Sequence, residues 1–140
     1  MTFDPILGSI PASVPLRILL VEDHDDTRRS IEWYLKAHGH SVESARTVGE
    51  AMALINRASY DVLISDLGLP DGTGWEVARR TTELAPHTYA VAISGYGMVQ
   101  DRARSKAVGF RSHLLKPFTP DELDTILSHA TEAVLSHRSS

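Results

Sequence analysis

Five polar side chains of this sequence fall where short apolar segments end, and their types suit phosphoryl chemistry. They are Glu22 and Asp23 after the first segment, Asp66 after the third, Ser94 at the end of the fourth and Lys116 after the fifth. If the segments are parallel strands, their carboxyl ends share one sheet edge, where α/β proteins bind ligands. Close carboxylates repel one another by about 4 kcal/mol per pair at an effective dielectric near 20, so such a cluster requires a cation.

The donor types indicate a hard cation and a phosphate group. Oxygen ligands, with no histidine or cysteine expected among them, favour Mg²⁺, which commonly lies between one or two carboxylates and a phosphate. A lysine supplies a point charge for a phosphoryl oxygen, and a serine hydroxyl supplies a directional hydrogen bond. Asp66 stands alone after its segment and is the candidate covalent acceptor, whereas the adjacent Glu22 and Asp23 suit metal binding.

Each of these residues also has an ordinary structural explanation. Asp23 or Asp25 could cap the first helix, and Asp66 could be a turn residue. Ser94 could be a polar loop residue and Lys116 a solvated lysine. Because these explanations require independent coincidences at the same end of four strands, the pattern favours a functional cluster.

The elements that must position the cluster alternate between strand and helix patterns. Strands are predicted at residues 17–21, 40–44, 61–65, 89–94 and 112–115, with helical periodicity after each. This alternation is typical of βαβ units around a parallel sheet. Residues 18–21 of the first strand and 62–64 of the third are continuously apolar, which predicts that helices cover both faces of the sheet.

Helix starts are marked by threonines that are followed three residues later by glutamate. This spacing predicts capping boxes, in which each side chain accepts the other residue's backbone N–H, at Thr47/Glu50, Thr73/Glu76 and Thr119/Glu122. The segment at 100–108 has few apolar residues and predicts a loosely packed helix.

Composition limits the remaining possibilities. The 140 residues suit one domain, and 14 Lys and Arg against 18 Asp and Glu give a net charge of −4, which disfavours direct nucleic-acid binding. Without cysteine, disulfides and thiol catalysis are excluded. There is no apolar run long enough for a membrane span and no signal-peptide pattern, so a cytoplasmic chain is expected.

The chain is expected to have three parts. Residues 1–15 are predicted to form an arm or linker, residues 16–136 the domain, and residues 137–140 a short tail.

Taken together, the motifs resemble the receiver domain of bacterial two-component signalling. The resemblance covers about residues 16–136 and rests on Leu20-Val21-Glu22-Asp23, Asp66 followed by Leu69-Pro70-Asp71-Gly72, Ala92-Ile93-Ser94-Gly95, and Lys116-Pro117-Phe118. It implies an α/β, flavodoxin-like, doubly wound fold with a five-stranded parallel sheet of order 2-1-3-4-5 and helices on both faces.

The same resemblance implies roles for the acidic residues. Asp66 is the expected phosphoacceptor, and Glu22 and Asp23 are the expected acid pair around Mg²⁺. Asp66 itself and the backbone carbonyl of Gly68 would be further metal ligands.

The resemblance also implies a switch, with one departure. Ser94 is the expected switch hydroxyl, and Lys116 is the expected site lysine, whose bond to Pro117 is usually cis in the family. Phosphorylation should draw both side chains towards the acceptor and change the surface formed by residues 95–115. The switch aromatic of the family is replaced by His113, so an aromatic rotamer switch cannot be transferred to this sequence.

The expected partner is a histidine kinase or a histidine phosphotransfer domain. The chain would catalyse only its own phosphorylation and dephosphorylation. His113-Leu114-Leu115-Lys116-Pro117 looks like the corresponding motif of receivers attached to hybrid histidine kinases, in which case the parent protein would be a kinase. A free-standing regulator beginning at Met1 is the alternative.

Two other functions were compared with this one. A phosphatase of the haloacid dehalogenase type also uses an Asp nucleophile and Mg²⁺, but Asp71-Gly72-Thr73 matches only half of its motif and Leu69 stands at the nucleophile position. A flavin carrier requires a phosphate-binding loop after the first strand, where Asp23-His24-Asp25-Asp26 would repel a phosphate.

Overall fold

The computed structural model describes residues 14–95 and 102–138. Strands and helices alternate through this part of the chain. In order they are β1 (Arg17–Val21), α1 (Asp25–Ala37), β2 (Ser41–Ala45), α2 (Val48–Arg57), β3 (Val62–Asp66), β4 (Gly68–Leu69), β5 (Gly72–Thr73), α3 (Gly74–Leu84), β6 (Tyr89–Ser94), α4 (Arg102–Ala107), β7 (Phe110–Leu115) and α5 (Pro120–Arg138).

The main sheet has five parallel strands in the order β2-β1-β3-β6-β7. Without the short β4 and β5, this is the predicted order 2-1-3-4-5, so the predicted flavodoxin-like topology is confirmed. The sequence analysis missed β4 and β5, which form an antiparallel hairpin directly after β3. With two residues in each strand, the hairpin is too short for periodicity to reveal it.

Helices cover both faces of the sheet because successive strand residues point to opposite sides. Ile18 and Leu20 of β1 lie in one apolar cluster with residues of α1 and α5. Leu19 and Val21 lie in the other, with residues of α2 and α3. The four apolar residues of β1, Ile18 to Val21, are therefore all buried, on alternating faces of the sheet.

Two strands begin one residue later than predicted, and at each start a polar side chain accepts a backbone N–H of the chain near β1. The strand expected at 40–44 begins at Ser41, and the Nδ1 atom of His40 accepts the backbone N–H of Leu16 at 3.1 Å. The strand expected at 61–65 begins at Val62, and Asp61 accepts the backbone N–H of Arg17 at 2.8 Å.

Two of the three predicted capping boxes form in both directions, at Thr73/Glu76 and Thr119/Glu122. At α2 the prediction was half wrong, because Glu50 accepts the backbone N–H of Arg46 instead of that of Thr47. Asp71, in the β4–β5 hairpin, accepts the backbone N–H groups of Val48 and Gly49 at 2.7 and 3.0 Å. These two bonds lower the pKa of Asp71.

Several predicted regions reach beyond the described residues. Residues 1–13 of the predicted arm, residues 139–140 of the tail and the first two residues of the helix expected at 100–108 lie outside them. Within the described ranges, no helix combines the length and apolar character that crossing a bilayer requires.

His40 should make the fold acid-sensitive. Burial, assisted by the neighbouring His38, lowers the pKa of His40. As pH falls through the ordinary histidine pKa of about 6.5, the unfolded chain takes up a proton that folded His40 does not. The free energy of unfolding should therefore decrease from pH 7 downward and level off below the lowered pKa.

The measurement is urea denaturation between pH 5 and 8, with His40→Leu and the exposed His129→Leu compared with the parent. His40→Leu leaves the Leu16 amide without its acceptor and should lose about 1–3 kcal/mol at pH 7.5. Its acid-dependent decrease should also be smaller than in the parent. An unchanged pH profile in His40→Leu, or the same change in His129→Leu, would contradict this role of His40.

Candidate functional site

The carboxyl ends of β1 and β3 bring the three predicted carboxylates together. β1 and β3 are paired neighbours, with Val21 opposite Ser65, so the residues that follow them meet at one edge. Glu22 is fully buried, Asp66 is buried and Asp23 is half-buried. One ligand atom from each of these residues and one from His24 all lie within 4.8 Å of one another.

Lys116 reaches this cluster from the end of β7. Its backbone N–H donates to the Ser94 carbonyl at 2.9 Å, which extends the β6–β7 pairing to the lysine. Its Nζ atom donates to Asp66 Oδ2 at 2.6 Å and lies 2.9 Å from Glu22 Oε1, forming an ion pair with each carboxylate. The peptide bond between Lys116 and Pro117 is cis.

The charge of Lys116 is set by two opposing effects. Burial disfavours the ammonium, but its contacts with Asp66 and Glu22 outweigh burial and raise the pKa of Lys116 above its ordinary value. The lysine therefore remains a cation at neutral pH. The cluster contains the single ammonium of Lys116 and the three acidic residues Glu22, Asp23 and Asp66. It therefore keeps a net negative charge.

Asp66 is held by its neighbours on β3 and by the hairpin. Its Oδ1 atom accepts the backbone N–H of Gly68 at 3.0 Å, and Oδ2 faces Lys116. Its backbone carbonyl accepts the Ser65 hydroxyl at 2.9 Å. A Cβ atom on Gly74 would lie 2.3 Å from that same carbonyl oxygen, so α3 can begin this close to Asp66 only with glycine at its first position.

Ser94 and His113 line the same cavity, and this cavity does not include the acidic cluster. Ser94 is fully buried, and its hydroxyl has no hydrogen-bond partner among residues 14–95 and 102–138. With His113 it lines a cavity of about 330 Å³ between α4, β7 and α5. The Nε2 atom of His113 is buried and likewise has no partner in the described chain. Burial and the nearby Arg102 lower the pKa of His113.

The motif pattern did not include a histidine, yet the structure places His24 beside the acid pair. His24 Nδ1 lies 3.3 Å from Glu22 Oε2 and 3.6 Å from Asp23 Oδ1, and the His24 backbone N–H donates to the same Glu22 oxygen at 3.0 Å. Adjacency to Glu22-Asp23 was the available clue. The orientation of the ring depends on how the chain enters α1.

Arg28 was also missed, because an arginine inside an amphipathic helix resembles a surface residue. It is buried and donates to the Glu22 backbone carbonyl at 3.3 Å and to Asp25 at 2.7 Å. The hydrogen bond from Arg28 lowers the pKa of Asp25. Asp25 therefore anchors Arg28, and Arg28 holds the loop that carries the acid pair.

This arrangement suits the transfer of a phosphoryl group to a carboxylate. Phosphoryl transfer is catalysed mainly by positioning and by neutralising charge on the phosphoryl oxygens. Asp66 offers an oriented carboxylate and Lys116 an adjacent cation. Surplus acidic oxygens remain beside them for a metal ion.

Comparison with known proteins agrees with this geometry. A family model described as the response regulator receiver domain matches residues 18–128. The cell cycle response regulator CtrA of Brucella ovis is 33% identical over 108 residues, which are 77% of this chain but 47% of that protein. The chain thus spans about half the length of the curated relatives it matches.

Two solved structures are similar over almost their whole length. One is a CheY-like receiver domain protein from Methanospirillum hungatei, with a TM-score of 0.83 and 26% identity over 89% of this chain and 99% of that one. The other is the chemotaxis response regulator CheY4 of Vibrio cholerae, with a TM-score of 0.76 and 29% identity over 84% and 99%.

Because Gly74 lies so close to Asp66, replacing it with alanine should destabilise the protein, whereas the same replacement at Gly49 should not. Gly74→Ala forces the β3 end and α3 apart and should lower the free energy of unfolding by about 1–3 kcal/mol. Gly49→Ala in α2 is the control, because its Cβ would meet atoms only at 3.6 Å or beyond. It should stabilise the helix by up to about 1 kcal/mol. Urea denaturation measures both, and equal effects would contradict the steric argument.

Proposed function

The chain belongs to the response regulator receiver family, and from this membership we propose that Asp66 accepts a phosphoryl group from a phosphohistidine. The observation that carries the proposal is the 2.6 Å contact between Lys116 Nζ and Asp66 Oδ2, beside the buried Glu22. Two-component receivers work with histidine kinases or histidine phosphotransfer domains, and such a domain is the proposed donor. A cytoplasmic location is part of the proposal.

In the proposed reaction, an Asp66 carboxylate oxygen attacks phosphorus, the P–N bond to the donor histidine breaks, and the bonding electrons leave with the imidazole. The product is an acyl phosphate on Asp66. Lys116 stabilises the charge on the phosphoryl oxygens, since its ammonium already faces the acceptor. Later attack by water on phosphorus releases inorganic phosphate and restores the carboxylate.

The residues present also fit Mg²⁺. Asp23 Oδ1 is buried and accepts no hydrogen bond from the described chain, whereas Glu22 Oε1 is already ion-paired with Lys116 at 2.9 Å. An oxygen of Asp23 therefore remains available to a cation. Glu22, Asp23, Asp66 and the backbone carbonyl of Gly68 would hold the ion. Bound Mg²⁺ would supply positive charge to the phosphoryl oxygens.

Ser94 is the proposed switch residue. Its buried hydroxyl has a free donor, and a phosphoryl group on Asp66 would offer an acceptor that is absent before phosphorylation. Movement of Ser94 would change the cavity that it shares with His113. We therefore expect the described part of the changing surface to be α4 and β7.

A groove beside the site suits the helical surface of a phosphohistidine donor. It lies between α1 and the segment from β7 to α5, measures about 740 Å³ and includes Trp33, Phe118 and Leu123. Lys116 lines both the groove and the acidic site, so a helix seated there would carry its phosphohistidine towards Asp66. Trp33 is 72% exposed and offers the largest apolar contact.

The phosphatase alternative is not retained. The family match and the receiver fold support a phosphoacceptor domain. Asp71, the acid of the partial dehalogenase motif, binds the N-terminal amides of α2 and has no part in the acidic cluster.

Replacing the acceptor should abolish labelling. After incubation with acetyl phosphate and Mg²⁺, the parent should gain the mass of one phosphoryl group, and Asp66→Asn should gain none. Asp121→Asn, which removes an exposed carboxylate at the start of α5, should be labelled like the parent. Intact-protein mass spectrometry measures the result. Equal labelling of Asp66→Asn and the parent would exclude Asp66 as the acceptor.

Replacing the exposed Trp33 should slow phosphoryl transfer from a protein donor and leave labelling by a small phosphodonor unchanged. Trp33→Ala should slow transfer from a phosphorylated histidine phosphotransfer domain by about tenfold or more, as expected for an interface anchor. Labelling by acetyl phosphate should be unchanged, because this small donor does not require the groove. Leu84→Ala removes an exposed apolar side chain on α3, away from the groove, and is the control. A similar loss with both phosphodonors would contradict docking at Trp33.

A further inference from the structure

We propose that a basic cavity between α4, β7 and the end of α3 binds a chain of two or three linked phosphate groups. The cavity measures about 620 Å³, and its lining in the described chain includes Arg102, Lys106 and Arg111. The inference goes beyond the proposed function, because the lining of this cavity shares no described residue with the acidic cluster and does not depend on the role of Asp66.

The first observation is a concentration of positive charge in an acidic protein. The whole chain has a net charge of −4, yet the described lining of the basic cavity includes two arginines and a lysine and no Asp or Glu. Within residues 14–95 and 102–138, none of the three cations lies at ion-pair distance from a carboxylate. Their charges therefore remain available to an anion from outside the chain.

The second observation is that the three cations come from two elements that meet at this cavity. Arg102 and Lys106 are four residues apart on α4, so their side chains lie on the same face of the helix. Arg111 approaches from β7, with its guanidinium 4.7 Å from the centre of the Tyr89 ring. Like charges at this helical spacing repel each other, and an anion between them would relieve the repulsion.

The residue types favour phosphate as the anion. A guanidinium presents its N–H donors as a fork that matches two oxygens of one phosphate, and a lysine adds a point charge. Arg102, Lys106 and Arg111 are all exposed, so each can contact a ligand without any change in the core.

The size of the basic cavity favours more than one phosphate. Its volume lies within the range of about 300–1,000 Å³ that is typical of small-molecule sites. A single phosphate would leave most of this space empty, whereas two or three linked phosphates offer enough charged oxygens for all three cations. Inorganic pyrophosphate and the diphosphate of a nucleotide share this chemistry.

The test is isothermal titration calorimetry of the full chain with inorganic pyrophosphate, ADP, orthophosphate and AMP. EDTA is present, so that a metal ion cannot recruit phosphate to the acidic cluster. The parent should bind pyrophosphate or ADP at least about tenfold more tightly than the corresponding monophosphate. Equal affinities for pyrophosphate and ADP would assign the site to the phosphate chain alone, and tighter binding of ADP would assign it to a nucleotide.

Substitutions within α4 separate this site from general charge attraction. Lys106→Gln should weaken pyrophosphate binding by about tenfold or more, because it removes a charge-assisted contact. Arg104→Gln is the matched control, since it removes one positive charge from the same helix. The Arg104 guanidinium lies 4.0 Å from the centre of the Trp75 ring, and Arg104 does not line the cavity. Its loss should change the affinity by no more than about twofold.

Arg111→Gln is the second variant and tests the β7 side of the basic cavity. It should weaken pyrophosphate binding as much as Lys106→Gln does. Urea denaturation of each variant shows whether the fold is retained, and exposed Lys106 should be replaceable without loss of stability.

Four results would overturn the proposal. They are an absence of saturable binding in the parent, equal affinity for orthophosphate and pyrophosphate, equal losses in Lys106→Gln and Arg104→Gln, and equally tight binding of a glutamate-rich peptide that displaces pyrophosphate. The last result would assign the cavity to a protein interface.

Asp66→Asn distinguishes this proposal from the proposed function. It should bind pyrophosphate like the parent, although it should not be labelled by acetyl phosphate. Loss of pyrophosphate binding in Asp66→Asn would place the anion at the acidic cluster and refute the basic cavity. Pyrophosphate binding without any labelling of the parent would support the basic cavity and refute the phosphoacceptor role.

Discussion

The shared contact of Lys116 with Asp66 and Glu22 is the interaction on which the site depends. Two buried carboxylates next to each other are unfavourable unless a cation compensates for lost hydration and mutual repulsion. The lysine supplies part of that compensation, at 2.6 Å from one carboxylate and 2.9 Å from the other. It can do so only because β7 and β1 end at the same sheet edge as β3, so the contact requires the complete parallel topology.

That compensation is incomplete, because the site holds more carboxylates than lysines. Lys116 contacts Asp66 and Glu22, and Asp23 adds a third carboxylate, so the cluster favours binding of a further cation. A phosphoryl group carries negative charge and would be repelled by bare carboxylates, but it gains from Lys116 together with a bound metal ion. In the proposed function, the groove beside α1 and the acidic pocket would place a macromolecular donor and a small cation on adjacent parts of one surface.

The supports around Asp66 are tighter than those around Ser94. Asp66 is fixed through Gly68, Ser65 and the close approach of Gly74, and the hairpin after it is tied to α2 by Asp71. Ser94 and His113 instead contain buried polar atoms without partners in the described chain. Buried polar groups that lack partners are costly, and a modification that supplies a partner can shift their positions. In the proposed function, a firmly held Asp66 and a Ser94 hydroxyl without a partner in the described chain would together form the basis of the switch.

The sequence by itself determined the alternation of strands and helices, the strand order through family resemblance, and the carboxylates and lysine that meet at one edge. These features depend on residue type and on local periodicity. Tertiary structure decided which distant groups became partners: Asp71 with the amides of α2, His40 with Leu16, Arg28 with the loop carrying Glu22, and the His24 ring with the acid pair. Such contacts depend on strand register, on the angles at which elements cross and on how loops enter helices. No local sequence pattern specifies these, because each partner residue fits its own helix, strand or loop equally well whether or not the contact forms.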